Sequence, residues 1–176
     1  DAQESRGLGD VYKRQLIYMT FDKFTIKAQE AVQSAVNTAQ RNGQQTIEPL
    51  HLLAGVMDKG KDVVSYVFQK LGVNIQTVES AIGNEIAHLP KVSGGGEPYF
   101  SSESNQVMQR TMDISQKFGD EFVSIEPMLL ALLAVNSTAS RILKDAGCSE
   151  QEMTAAINDL RQGQTVQTQS GDEKYQ

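Results

Sequence analysis

Few side chains in this 176-residue sequence have the type and spacing that chemistry requires. The run Gly55-Val56-Met57-Asp58-Lys59-Gly60-Lys61-Asp62 has the G-x-x-x-x-G-K spacing of a loop that cradles phosphates. Its eighth position needs a hydroxyl for magnesium, and Asp62 would set a carboxylate against the phosphates instead. Such a loop must also join a strand to a helix, whereas this run follows an apolar helical stretch, so nucleotide binding here is not expected. His51, His88 and Cys148 make up the whole complement of histidine and cysteine, too few ligands for a metal site of several N and S donors. No metal is expected. His51 lies in a leucine-rich stretch, where a buried histidine with one hydrogen-bond partner is the expectation. His88 reads as a helix-end residue near the negative pole of the dipole. Cys148 follows Gly147 at a helix start that could lower its pKa, but no neighbouring residue marks it as a nucleophile. The sequence has no Gly-x-Ser-x-Gly elbow either. What remains is an acidic turn. Gly119-Asp120-Glu121-Phe122, just ahead of Glu126, places carboxylates beside an aromatic that could rim a hydrophobic strip. A solvated turn with a core Phe is the plainer reading, and both stay open.

Composition narrows the function classes. A net charge of −6, with basic residues scattered, argues against binding nucleic acid. The single cysteine fits a reducing, cytoplasmic setting, and the longest apolar stretch, Met128 to Val135, is far short of the roughly 20 residues that span a membrane. Neither DNA, RNA nor a membrane is an expected partner.

The elements that would position the acidic turn come in two copies. Ile47-Glu48-Pro49 and Ile125-Glu126-Pro127 occur in the same order of features, helical stretch, glycine turn, triplet, leucine run, glycine, amphipathic stretch, so the chain is an internal duplication. Thr25 can cap a helix whose apolar positions run from Ile26 to Ala39 at 3–4 spacing and end at Asn42-Gly43. Val107, Met108, Thr111, Met112, Ile114 and Ser115 repeat the arrangement before Gly119. Pro in a first helical turn gives up an N–H that has no intrahelical partner, and the preceding Glu suits the positive dipole end. Pro49 to Met57 and Pro127 to Val135 are nearly all apolar and should be the buried centre of each half. Third helices close at Gly72 and Gly147; fourth helices run from about Ile75 to His88 and from Ser149 to Arg161, with Ser149 and Glu152 as a capping box. The fold expected is all-α, about eight helices in two pseudo-symmetric four-helix repeats, with no strand.

Domain limits follow. Residues 1–18 lack helical periodicity, and Asp10 to Gln15 match the translation of a transposon-end sequencing adapter, so they read as a non-native or disordered leader before Met19. The folded domain is placed at residues 19–161, with repeat one at about 24–88, a Gly-rich connector at 89–100 and repeat two at about 101–161. Residues 162–176, rich in Gln, Thr, Ser and Gly, read as a flexible linker.

Phe21-Asp22-Lys23-Phe24-Thr25 leading into Gln29-Glu30-Ala31, then Ile47-Glu48-Pro49-Leu50-His51-Leu52-Leu53 and Leu89-Pro90-Lys91-Val92, make the sequence resemble the Clp N-terminal repeat domain, most closely that of the ClpB-like disaggregases. The resemblance covers about Met19 to Arg161. It implies a non-enzymatic substrate-recognition module, tethered to a homohexameric AAA+ ring, that binds exposed hydrophobic segments of unfolded or aggregated proteins. The chain would be truncated before the ATPase modules, which would hold ATP and Mg and cooperate with an Hsp70 system; no cofactor is expected in this fragment. By position, the family's functional polar residues fall on Thr25, Asp120 and Glu126, although Thr25 and Glu126 also have capping roles. Groove lining would come from Met108, Ile114, Phe122 and Pro127. Arg110 departs from the family, standing where relatives often carry an aliphatic residue. The alternative is the homologous domain of ClpA- or ClpC-like unfoldases, which docks adaptors for a protease.

Overall fold

A computed structural model describes residues 21–172; the leader assigned to residues 1–18 lies outside them. Among the described residues there are eight helices. The first repeat holds α1 (Ile26–Arg41), α2 (Pro49–Lys59), α3 (Lys61–Leu71) and α4 (Ile75–Ala87). The second holds α5 (Ser102–Lys117), α6 (Ile125–Ala134), α7 (Thr138–Asp145) and α8 (Glu150–Arg161). The expected all-α duplication is the observed architecture.

The leucine-rich helices are the centre, as their composition requires. Ile125 to Leu133 of α6 are all buried, and α2 buries Leu50, Leu52, Leu53 and Val56 together with His51. Each packs against the first helix of its own repeat and against the other. The α1–α2 crossing is close enough that a Cβ on Gly55 would lie 2.1 Å from the Ala31 carbonyl oxygen, so only glycine fits. Around this pair the repeats interlock reciprocally: α3 packs on α8, and α4 packs on α7.

Two short parallel pairings correct the expectation of no strand. β1 (Thr46–Ile47) pairs with β2 (Tyr99–Phe100), and Phe24 bridges Val123. Each joins the approach to the first helix of one repeat to the approach to the second helix of the other. Segments of one or two residues cannot display a period of two, so sequence pattern could not reveal them. Their function is local. The Thr25 amide donates to the Val123 carbonyl (2.9 Å) and the Ser101 amide to the Ile47 carbonyl (3.1 Å), seating the two N-cap residues. Thr25 Oγ1 then accepts from the Ala28 amide (3.2 Å) and Ser101 Oγ from the Ser104 amide (3.1 Å). The connector is anchored by the Val92 amide on the Gly43 carbonyl (2.8 Å) and by Gln45 Nε2 on the Glu97 carbonyl (3.1 Å). Ser149 caps α8 through the Glu152 amide (3.2 Å).

Residues 163–172 differ from the flexible linker expected from composition. Val166, Gly171 and Asp172 are buried, and the segment is hydrogen-bonded to the turn before α6 and to the start of α1. Among the described residues, no helix is long and apolar enough to cross a membrane.

Candidate functional site

The Phe24–Val123 bridge draws the N-terminal ends of α1 and α6 together, and with them Thr25 and Glu126. Asp120 joins them through the end of α8. Arg161 Nη1 donates to Asp120 Oδ1 (2.8 Å), Nε to Glu126 Oε1 (3.2 Å) and Nη2 to Ser124 Oγ (3.0 Å). The guanidinium carbon lies 4.7 Å from the Phe118 ring centroid. The Arg161 side chain is 3% exposed and those of both acids 0%. Three charged groups buried together carry a large desolvation cost that only this mutual pairing offsets. The fork of Arg161 suits it, because one planar group reaches acceptors on three sides.

A third carboxyl completes the cluster from beyond α8. Thr25 Oγ1 donates to Asp172 Oδ2 while accepting its capping bond from Ala28. Burial and the neighbouring Glu126 push the Asp172 carboxyl up from 3.8 to about 7, against the lowering bonds from Thr25 and the Ile125 amide. Glu126 Oε2 and Asp172 Oδ1 are both buried without a donor as carboxylates, yet the two groups are in hydrogen-bond contact, so one proton held between them satisfies both.

The three polar residues singled out in the sequence therefore meet, but inside the domain. Among the apolar ones, Met108 and Ile114 do not share a face of α5. Met108, Ile114 and Phe122 are half-buried and Pro127 is buried at the third position of α6. Met108 and Ile114 are six residues apart on α5, which turns them roughly 120° from each other. Met112, 38% exposed, shares the Met108 edge instead, and Ile26 at the start of α1 is 46% exposed. Lys23 Nζ stands 6.0 Å from the Phe122 ring centroid.

Sequence reasoning missed Arg161, Ser124 and Asp172. A lone Arg in a last helical turn reads as a complement to the dipole, and only the two acids some forty residues before it hint otherwise. The signal for Asp172 was Val166, one aliphatic residue in a polar run.

The other candidates settle as structural groups. Only Gly60 separates α2 from α3, and a Cβ there would lie 2.7 Å from Ile125 Cγ2, so the phosphate-loop spacing falls on two abutting helices. His51 Nδ1 accepts from the Glu48 amide (2.8 Å), which leaves Nε2–H to donate to Gln44 Oε1 (2.7 Å). Burial lowers its pKa to about 4. His88 caps the C-terminal end of α4. Cys148 is buried, and burial, with Glu152 nearby, pushes its thiol up to about 11, leaving it protonated and unreactive at neutral pH. Among the described residues, no group of three His, Cys, Asp or Glu side chains could hold a metal ion.

Comparison with known proteins agrees with this fold. A family profile described as the Clp repeat (R) N-terminal domain matches residues 23–173. The chaperone protein ClpB of Bacteroides thetaiotaomicron is 56% identical over 158 residues, covering 90% of this chain and 18% of the relative. ClpB of Porphyromonas gingivalis is 46% identical over 157 residues, again 18% of its length. The crystal structure of the Hsp104 N-terminal domain from Candida albicans superposes with a TM-score of 0.76 at 22% identity, covering 85% of this chain and 99% of that one. The chain thus spans about a fifth of the length of the curated relatives it matches. It is a ClpB-like N-terminal region, and it belongs to the Clp repeat N-terminal domain family.

Proposed function

We propose that this domain binds clients for a ClpB-like, ATP-dependent disaggregase, taking exposed hydrophobic segments of unfolded or aggregated proteins. The observation that carries the reading is 56% identity to a ClpB chaperone over nearly the whole chain. Exposed or half-buried apolar side chains at the start of α1 and in the second repeat, Ile26, Met112 and Phe122, give such segments something to bury. Each contact is small, so a single domain binds weakly, and retention comes from several copies on one ring. Thr25, Asp120 and Glu126 act here by positioning: they fix the junction of α1 and α6. The hexameric ring, ATP hydrolysis with Mg, cooperation with an Hsp70 system and a cytoplasmic stress-response setting belong to the same proposal and to the rest of such a protein. The test is an NMR titration of the chain with a permanently unfolded polypeptide, alongside Ile26→Asp and Met112→Asp. Saturable shifts at Ile26, Met112 and Phe122, weakened in the folded variants, are the expected result. A folded domain that gives no shifts sinks the client reading and brings forward adaptor docking.

A further inference from the structure

Beyond α8 the chain turns back, with Gln162 in a left-handed conformation (φ 50°), and crosses the domain from the acidic turn to the start of α1. Its bonds to the domain run mainly through backbone. The Val166 amide donates to Asp120 Oδ1 (3.0 Å), and the Val166 carbonyl accepts from the amides of Glu121 (2.9 Å) and Phe122 (3.2 Å). Further along, the Gln169 carbonyl accepts from the Ile26 amide (2.7 Å), the first N–H of α1, and Gln169 Nε2 donates to the Asp22 carbonyl (3.1 Å). One side chain, Val166, is inserted to 1% exposure, and Gly171 closes over it so tightly that a Cβ would lie 2.6 Å from Val166 Cγ1. Residues 167–170 between them are exposed. Main-chain bonds to the host and one apolar anchor in a pocket are how a domain holds a peptide segment, which here runs without regular structure over 164–167 and turns from 168 to 172, where the Gly171 amide donates to the Thr168 carbonyl (3.1 Å).

We propose that residues 163–172 are a tethered occupant of the peptide-binding groove between the acidic turn and the start of α1, and that a client segment binds by displacing them. This rests on the client-binding reading above and adds where the client lies and what guards it. Ile26 and Phe122, two of the apolar residues named there, are among the three whose amides the segment covers. The occupant is built to leave. It is anchored by a single aliphatic side chain, and the Asp172 carboxyl is buried against that of Glu126, a contact that holds only while the pair keeps its proton. The groups facing Asp172 are Thr25 from α1 and Glu126 and the Ile125 amide from α6, with Arg161 of α8 and Asp120 of the turn on the far side of Glu126. Since docking raises the Asp172 pKa from 3.8 to about 7, the docked state is favoured below pH 3.8, loses about tenfold per unit as pH rises, and levels off above about 7.

The test uses the full chain with Val166→Ser and Gly171→Ala, which loosen the segment without touching the groove. Hydrogen exchange at Ile26, Glu121 and Phe122 reports release, and fluorescence anisotropy with reduced, alkylated α-lactalbumin reports client binding. Loss of protection at the three amides and a roughly tenfold lower apparent Kd are expected, because the competent fraction rises as the occupant leaves. A synthetic peptide of residues 163–172 should compete with the client on the variants, and client affinity of the unaltered chain should rise from pH 5 to 7.5. Released amides with unchanged client affinity would overturn the proposal and leave client binding standing. Binding by neither form would overturn the client reading itself.

Discussion

Replacing Arg161 by Met is the sharpest test of the buried cluster. The substitution keeps length and apolar volume but withdraws the guanidinium from two carboxylates at 2.8 and 3.2 Å and from Ser124 at 3.0 Å. Counted singly, three hydrogen bonds from a charged donor at about 1.5–3 kcal/mol each would give about 4.5–9 kcal/mol. The surroundings relax once the guanidinium is gone, so the measured loss should sit near the about 3–5 kcal/mol found when one partner of a buried pair is removed. For a domain of this size that is a fall in Tm of roughly 10 °C. Arg161→Lys separates charge from shape. One ammonium keeps the sign but cannot serve Asp120, Glu126 and Ser124 together, so it should recover only part of the loss. The triple variant Arg161→Met, Asp120→Asn, Glu126→Gln should be more stable than Arg161→Met alone, since no charge is then stranded. Urea unfolding at pH 7.5 measures all three. A loss below about 1 kcal/mol for Arg161→Met, or a triple variant no more stable than the single one, refutes the reasoning.

Two more outcomes follow from packing and burial. Gly55→Ala forces a Cβ against the Ala31 backbone and should cost about 3 kcal/mol, whereas Gly83→Ala, in α4 with open space around it, should gain about 0.5–1 kcal/mol; thermal melts of the pair decide. His51 is held neutral, its pKa lowered from 6.5 to about 4, so the unfolded chain binds the extra proton between those values and stability falls as pH drops from 6.5 through 4. The ceiling of that loss is about 3 kcal/mol, and His51→Gln should flatten the stability-against-pH curve over the same window in urea titrations.

The duplication was legible because its marks are local: proline in a first turn, glycine at helix ends, leucine runs. Helix order and the buried centre followed from those marks. The β pairings were not legible because Thr46–Ile47 and Phe24 are too short to show a period. The meeting of Thr25, Asp120 and Glu126 was indicated by resemblance, but their burial was not, because it depends on Arg161 arriving from α8 and Asp172 from a segment whose composition resembles a linker. Low-complexity composition signals that a segment cannot build a core of its own; it says nothing of whether one Val can borrow a neighbour's.

The two junctions between the repeats are completed in different ways. At the Ser101 junction, Ser104 Oγ donates to the Ile47 carbonyl (2.6 Å) and also accepts from Ser101 Oγ (3.1 Å), so the junction closes with its own side chains. Beside it His51 accepts the Glu48 amide, and Thr46 Oγ1 donates to Glu48 Oε1 (2.8 Å). The equivalent positions at the Thr25 junction are Ala28, where Ser104 stands in the other copy, and Leu129, where His51 stands. Neither can supply a hydrogen bond. The Thr25 hydroxyl and Glu126 must therefore be satisfied from outside the duplicated unit's own pattern, and Arg161 and Asp172 do this. A segment that completes a junction from outside can be exchanged for another chain, whereas a junction closed by its own serine and histidine offers nothing to exchange; the proposed displacement therefore belongs to the Thr25 junction, where Ala28 and Leu129 stand in place of that serine and histidine.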